Sequence, residues 1–136
     1  MTKINKSNSV LLLATRFDHL GGWTVEQQFV LQMGSSYLLA HGIGTPIADD
    51  PATKVNIEKP GRYTPWVRTK NWTAFWSEGK TPGIFQVKVD GVADQAEFGV
   101  GCEGATRAER AAWYWQKGGT HEFADGEHEI AIHDVM

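Results

Sequence analysis

Short apolar segments separated by glycine-rich turns run along most of this chain, and their spacing restricts the fold more than any other feature. About eight segments have strand character, with turn signals every ~8–12 residues. Such spacing favours an all-β fold, an antiparallel β-sandwich or jelly roll. The predicted strands are Val10–Phe17, Tyr37–Ala40, Ala52–Ile57, Arg62–Lys70, Gly83–Val89, Ala111–Gln116, Thr120–Phe123 and His128–Val135.

Two Asp-Gly pairs predict the tightest turns. Asp90-Gly91 follows the clearest strand and predicts a β-hairpin, and Asp125-Gly126 predicts a second hairpin that pairs the last two strands. Pro65 lacks a backbone donor, so its strand is expected at a sheet edge or at a bulge. Thr24–Met33 has a weak helical pattern with Gly34 as its stop signal, so at most one short helix is expected.

Length and charge restrict the class of protein further. The chain has 136 residues, which suits a single domain over 1–136, with residues 1–9 expected as a flexible tail. Sixteen acidic residues outnumber 13 basic ones, for a net charge of −3, and this argues against a nucleic-acid partner. The single cysteine, Cys102, excludes an internal disulfide, and no stretch approaches the ~18 apolar residues of a membrane span.

The location of the protein stays open. Val10–Ala14 is the longest apolar run, shorter than the ~7–15 residues of a signal-peptide core, so a first strand is expected there rather than a signal peptide. Gly99–Gly104 matches the GxGxxG pattern. A polar segment precedes it, however, and the chain lacks alternating strands and helices, so we interpret it as a chance match.

The last predicted hairpin raises a metal hypothesis. If it turns at Asp125-Gly126, Glu122 faces Glu129, and His133 shares the face of Glu129. These three residues would suit a divalent metal and metal-assisted chemistry, or they form an ordinary solvated face. Acidic residues in turns offer oxygen ligands for calcium or simply serve turn chemistry; these are Asp18, Asp49 and Asp50.

Tryptophan is the most informative residue type, with six in the chain. Trp66, Trp72 and Trp76 lie close to Arg68 in sequence. Sugar rings present apolar faces that stack on flat aromatic rings, and their hydroxyls bind planar donors and acceptors such as Arg, Asp, Asn and Gln. The segment therefore suits glycan binding, or its rings fill the core. Burial is expected for the remaining tryptophans considered, namely Trp23, Trp113 and Trp115.

Several short motifs resemble one known type of module. They are Gly21-Gly22-Trp23, Gln27-Gln28-Phe29, Met33-Gly34-Ser35, Tyr37–Gly42, Gly44-Thr45-Pro46, Gly61-Arg62-Tyr63, Trp66–Thr69, Asn71-Trp72, Pro82–Gln86, Trp113–Gln116 and His133-Asp134. Together they resemble the jelly-roll domain attached to bacterial FAD-dependent oxidoreductases of polysaccharide degradation and, more broadly, galactose-binding-like carbohydrate-binding modules. The resemblance spans roughly Leu13 to Asp134 and implies a jelly roll that serves as an accessory module.

Two departures from that pattern matter. Such modules often begin with a Glu-Ala-Glu strand that helps to hold calcium, and Ala14-Thr15-Arg16 stands here instead, which puts a structural calcium in doubt. The relatives also continue past His-Asp, whereas this chain stops at Met136. An open sheet edge would favour a homodimer or association with a larger enzyme. Membership of a secreted polysaccharide-degrading protein would imply an extracellular or periplasmic location.

The leading hypothesis is a non-catalytic module that binds a carbohydrate. Trp72 and Trp76 are the expected platforms, with Trp66 beside them, Arg68 as a polar anchor and His41 as a weaker contributor. One rival is a small metalloenzyme that uses the Glu and His residues of the last hairpin. The other is a structural docking or oligomerisation domain of a larger oxidoreductase assembly.

Overall fold

The computed structural model describes residues 3–6, 9–42, 45–70, 83–99 and 113–135, with the backbone alone for 3–6. The predicted fold class is confirmed: the chain is all-β, and every strand pair is antiparallel. Helical structure in the described ranges is limited to a 3₁₀ turn at Ala14–Arg16 and a short helix, α1, at Val30–Met33. No helix there has the length and apolar character that a membrane crossing requires.

One four-stranded sheet, in the order β5-β12-β8-β9, forms the first layer, and four two-stranded ladders accompany it: β1-β2, β3-β4, β6-β11 and β7-β10. The strands are β1 Lys3–Lys6, β2 Ser9–Leu12, β3 Thr24–Glu26, β4 Tyr37–Leu39, β5 Ala52–Ile57, β6 Gly61–Tyr63, β7 Trp66–Thr69, β8 Ile84–Val89, β9 Val92–Gly99, β10 Tyr114–Lys117, β11 His121–Phe123 and β12 Gly126–Asp134.

The core lies between the four-stranded sheet and the smaller ladders. Val55 and Ile57 of β5 and Val89 of β8 are buried against Phe123 of β11. The ring of Phe123 meets that of Tyr63 edge-on, with 5.5 Å between centroids; such pairs contribute about 0.5–1.5 kcal/mol beyond area burial. Strand alternation explains the pattern, because residues two apart on β5 point to the same side of the sheet.

Several predicted elements are confirmed. β5 has the predicted bounds, β4 covers three of the four predicted residues, and β8 begins one residue late. The Asp90-Gly91 hairpin also forms, with φ of 50° at Asp90 and 83° at Gly91. Positive φ at both central residues is the geometry that suits the twist of a two-residue hairpin.

Other elements differ from the prediction. Lys3–Lys6, expected in a flexible tail, pair with β2. The predicted helix is shorter, because Thr24–Glu26 pair with β4 and only Val30–Met33 are helical. Pro65 divides the predicted long strand: β6 ends at Tyr63 and pairs with β11, and β7 begins at Trp66 and pairs with β10.

The predicted hairpin at Asp125-Gly126 is wrong. β11 pairs with β6, and β12 pairs with β5 on one side and with β8 on the other. A central position lets all nine residues of β12 belong to the main sheet, whereas a local hairpin would use only a few of them. Long-range pairing has overridden the local turn signal here.

His128 joins two turns at one end of the main sheet. Its Nδ1 lies 2.7 Å from Oδ2 of Asp90, and its Nε2 lies 2.7 Å from the carbonyl oxygen of Ala124. Both neighbours are acceptors, so the protonated imidazole, with two donors, fits best. The hydrogen bond to Asp90 and then that to Ala124 raise the pKa of His128, and the hydrogen bond from His128 lowers the pKa of Asp90.

These shifts predict how stability changes with pH. The contribution of His128 is complete below about pH 6.5 and is lost as the pH rises through its raised pKa, whereas that of Asp90 is lost as the pH falls through its lowered pKa. The free energy of unfolding should therefore fall above about pH 6.5, by less than about 1 kcal/mol because half of the Asp90 side chain is exposed. Denaturant titrations across pH 5–9 should show this decline in the parent and in His19→Gln but not in His128→Gln. An unchanged decline in His128→Gln would contradict the assignment.

Gly99 offers a second prediction on stability. Its φ is +101°, and an added Cβ would lie 1.9 Å from the carbonyl oxygen of Gly83. Gly91 also has a positive φ, +83°, but open space surrounds its Cβ position. Gly99→Ala should cost at least about 2 kcal/mol, and Gly91→Ala about 1 kcal/mol from backbone strain alone. Denaturant unfolding of both variants measures the difference, and equal losses would refute the close approach.

Candidate functional site

The β7–β10 ladder presents one buried face to the rest of the domain. Thr69 and Gln116 lie on that face and are 6% and 8% exposed. The Thr69 hydroxyl donates to Oε1 of Gln116 at 3.1 Å, and the backbone N–H of Gly99 donates to the same oxygen at 2.7 Å. The ladder is thus attached to the end of β9, and the alternation of its side chains is fixed.

The opposite face of this ladder carries two exposed indole rings. Trp66 is 57% exposed and Trp115 is 56% exposed. In the register of the ladder, Lys117 lies opposite Trp66 and Arg68 lies opposite Trp115. The two tryptophans are diagonal neighbours, a relation that places residues about 7–8 Å apart. We call Trp66, Arg68, Trp115 and Lys117 the aromatic–basic face.

Cations accompany these rings closely. Nζ of Lys117 lies 5.8 Å from the centroid of the Trp66 ring, within the range of a cation–π contact. Nη1 of Arg68 donates to the carbonyl oxygen of Met33 at 2.9 Å. This carbonyl is in the last turn of α1 and has no partner within the helix, so the guanidinium satisfies an otherwise unpaired acceptor. Arg68 thereby holds α1 against the face.

The segment from β3 to β4 closes one end of the aromatic–basic face. Tyr37 contacts Trp113 edge-on at 4.8 Å and stacks with Phe29 at 6.4 Å between ring centroids. Nζ of Lys70 lies 4.6 Å from the centroid of the Phe29 ring, and burial lowers the pKa of Lys70. The result is an aromatic wall beside the exposed platform.

Trp66 and Trp115 also border a large concavity of about 1230 Å³. Most of its lining is apolar and includes Phe85, Val87 and Ile132 from the main sheet. Two buried indole N–H groups, those of Trp23 and Trp113, have no hydrogen-bond partner among the described residues, and both side chains line the concavity. The core residues Val55, Ile57, Val89 and Phe123 also line this space, so it extends into the apolar interior between the main sheet and the ladders.

A buried carboxylate supports the turn that follows β10. The side chain of Asp94 is fully buried, and its Oδ2 lies 2.5 Å from Nε2 of His121. Asp94 also accepts hydrogen bonds from the N–H groups of Gly119 and Ala96. Burial raises the pKa of Asp94, but the hydrogen bonds from Ala96, His121 and Gly119 outweigh it and hold the pKa below its usual value.

The predicted carbohydrate residues fall into two groups. Trp72 and Trp76 lie outside the described residues, whereas Trp66, Arg68 and His41 all border the concavity. Arg68 contacts a backbone carbonyl rather than standing free as an anchor. The expected burial of Trp115 is wrong, since its neighbour Gln116 takes the buried side of the strand. Because Gln116 is buried, the alternation of side chains along β10 places Trp115 on the exposed side.

The predicted metal ligands are not brought together. Glu122 on β11 pairs with Arg62 at 3.4 Å, while Glu129 and His133 lie on β12 in the main sheet. Nδ1 of His133 lies 2.9 Å from Oδ1 of Asp50. The hypothesis depended on the hairpin that does not form. Within the described ranges, no three His, Cys, Asp or Glu residues form a group that could hold a metal ion.

The acidic residues considered for calcium have protein partners. Asp18 accepts hydrogen bonds from the Thr53 hydroxyl and from the N–H of Lys54, both at 3.0 Å. Asp49 pairs with His19 at 3.0 Å. These contacts fit the turn chemistry that was the alternative. Gly99 ends β9, and the rest of the GxGxxG segment, with Cys102, lies outside the described residues.

Comparison with known proteins finds no matching family model and no matching curated protein.

We expect Asp94 to stabilise the turn that follows β10. Asp94→Ala leaves His121 and the N–H of Gly119 without their buried partner, which typically costs about 3–5 kcal/mol. Asp49→Ala removes the exposed partner of His19 and should cost under about 1 kcal/mol. Urea unfolding of both variants tests the difference. A small loss in the free energy of unfolding of Asp94→Ala would contradict the prediction, because solvent would then replace the carboxylate.

Proposed function

We propose that this domain is a non-catalytic carbohydrate-binding module that recognises a poly- or oligosaccharide by aromatic stacking. The single observation that carries the proposal is the pair of indole rings, Trp66 and Trp115, each more than half exposed on one face of one ladder. Large aromatic side chains are usually buried, so two neighbouring exposed rings on a regular strand pair suggest a surface for a ligand.

The chemistry of the face suits sugars. A pyranose ring has an apolar face of C–H groups, and covering about 100 Å² of indole surface corresponds to about 2.5 kcal/mol. Strands hold the two rings in place, so little conformational entropy is lost on binding. Lys117 and the remaining N–H donors of Arg68 are close enough to bind sugar oxygens.

The sequence resemblance supports the same proposal. Trp66–Thr69 and Trp113–Gln116 belong to the motifs that resemble galactose-binding-like modules of polysaccharide-degrading systems, and they form the two strands of the ladder. Trp72 and Trp76 follow β7 in sequence and stay predicted platforms. We propose an accessory role, in which the domain keeps a degradative enzyme close to its polymer.

A polysaccharide panel with matched variants tests this function. The parent should be retarded in gels that contain its polymer, and Trp66→Ala and Trp115→Ala should each weaken binding by about tenfold or more, since covering an indole contributes about 2.5 kcal/mol. Val92→Ala is the control, because Val92 is 67% exposed but lies on β9. Trp72→Ala and Trp76→Ala test the predicted extension of the platform.

Two results would argue against the proposal. One is a folded parent that binds no polymer of the panel. The other is a polymer whose binding is equally strong in Trp66→Ala, Trp115→Ala and Val92→Ala, since it would then bind elsewhere. Circular dichroism of each variant shows that folding persists.

A further inference from the structure

The ladder register pairs each exposed indole with a cation. Trp66 lies opposite Lys117, and Trp115 lies opposite Arg68. Directly opposite residues have their Cβ atoms about 4.5–5.5 Å apart. The face therefore offers two pairs, and each pair consists of one ring and one positive charge. A neutral polysaccharide would use only the rings.

The cations of this face differ in their partners from three other described cations, which pair with carboxylates. Lys54 pairs with Glu127, Arg62 pairs with Glu122, and Lys88 lies 4.0 Å from Asp50. Among the described residues, neither Arg68 nor Lys117 forms an ion pair with a carboxylate. Arg68 contacts the carbonyl oxygens of Met33 and Gln32, and Lys117 contacts the Trp66 ring. None of the four residues of the face is acidic. The face is therefore positively charged, although the chain as a whole has a net charge of −3.

We propose that the aromatic–basic face binds a uronic-acid polysaccharide, with sugar rings on Trp66 and Trp115 and a sugar carboxylate on the Lys117 ammonium. This inference rests on the proposed function and names its substrate class. Each uronate residue carries one ring and one carboxylate, which is the ratio that the face presents. Lys117 is the main anchor, because the guanidinium of Arg68 already donates to the Met33 carbonyl.

Single-stranded nucleic acid is the other polymer with one ring and one charge per unit. Proteins that bind it present an extended basic groove that follows the phosphates. The outer face of the main sheet, with Lys54–Glu127 and Lys88–Asp50, carries both signs and offers no such groove within the described residues. A carboxylated polysaccharide fits better.

Polygalacturonate and its fully methyl-esterified form are the probes, because they share one backbone and differ in charge. The whole chain should bind polygalacturonate at least about tenfold more tightly by calorimetry at low salt, and the preference should shrink as salt screens the charges. Lys117→Gln should weaken polygalacturonate binding about threefold to tenfold, as expected for one charge-assisted contact, and weaken binding of the ester by less, so that the preference for the charged polymer shrinks. Lys117→Arg should retain the preference.

Lys54→Gln is the matched control, since it removes the same charge from an exposed site on a different sheet. Equal effects of Lys117→Gln and Lys54→Gln would overturn the assignment of the anchor. Equal binding of the charged and esterified polymers, with loss in Trp66→Ala, would overturn this inference and leave the carbohydrate function intact. Tighter binding of an oligo-thymidine strand would overturn it in favour of nucleic acid. Failure of every polysaccharide would remove the proposed function itself.

Discussion

One buried amide oxygen fixes the direction in which Trp66 and Trp115 point. Oε1 of Gln116 accepts hydrogen bonds from the Thr69 hydroxyl and from the N–H of Gly99, so it connects both strands of the β7–β10 ladder to the end of β9. Side chains alternate along a strand, and a buried Gln116 therefore sends Trp115 outward. The cross-strand register then sets Trp66 beside it. A one-residue slip of β10 would bury Trp115 and expose the amide.

Local signals predicted much of the fold. Asp90-Gly91 predicted its hairpin because these residue types favour positive φ at both central positions, and the flanking strands β8 and β9 pair with each other. Ala52–Ile57 was predicted with its bounds because alternating burial shows in the sequence of one strand. The all-β class followed from the same kind of local pattern. In these cases the local preference of a short segment agrees with the strand pairing of the whole fold.

Long-range pairing explains what the sequence did not reveal. Asp125-Gly126 has the same hairpin signal as Asp90-Gly91, but β12 pairs with β5 and β8 instead of β11. The predicted metal ligands depended on that hairpin and are therefore not brought together. Trp66 was predicted as a site residue because it belongs to a local aromatic cluster, whereas Trp115 became a candidate only once Gln116 was seen to be buried. Arg68 likewise needed the position of α1, which is 35 residues away in sequence.

The central position of β12 has a consequence for how the chain acquires its structure. Its neighbours β5 and β8 precede it in the sequence and pair with it rather than with each other, so they stay unpaired on that side until β12 has been synthesised. Non-local pairing of this kind slows folding and leaves apolar strand edges accessible for longer. Assembly of the main sheet must therefore await a late segment of the nascent polypeptide, and the apolar segments made earlier, such as Val55–Ile57, remain open to aggregation until that segment arrives.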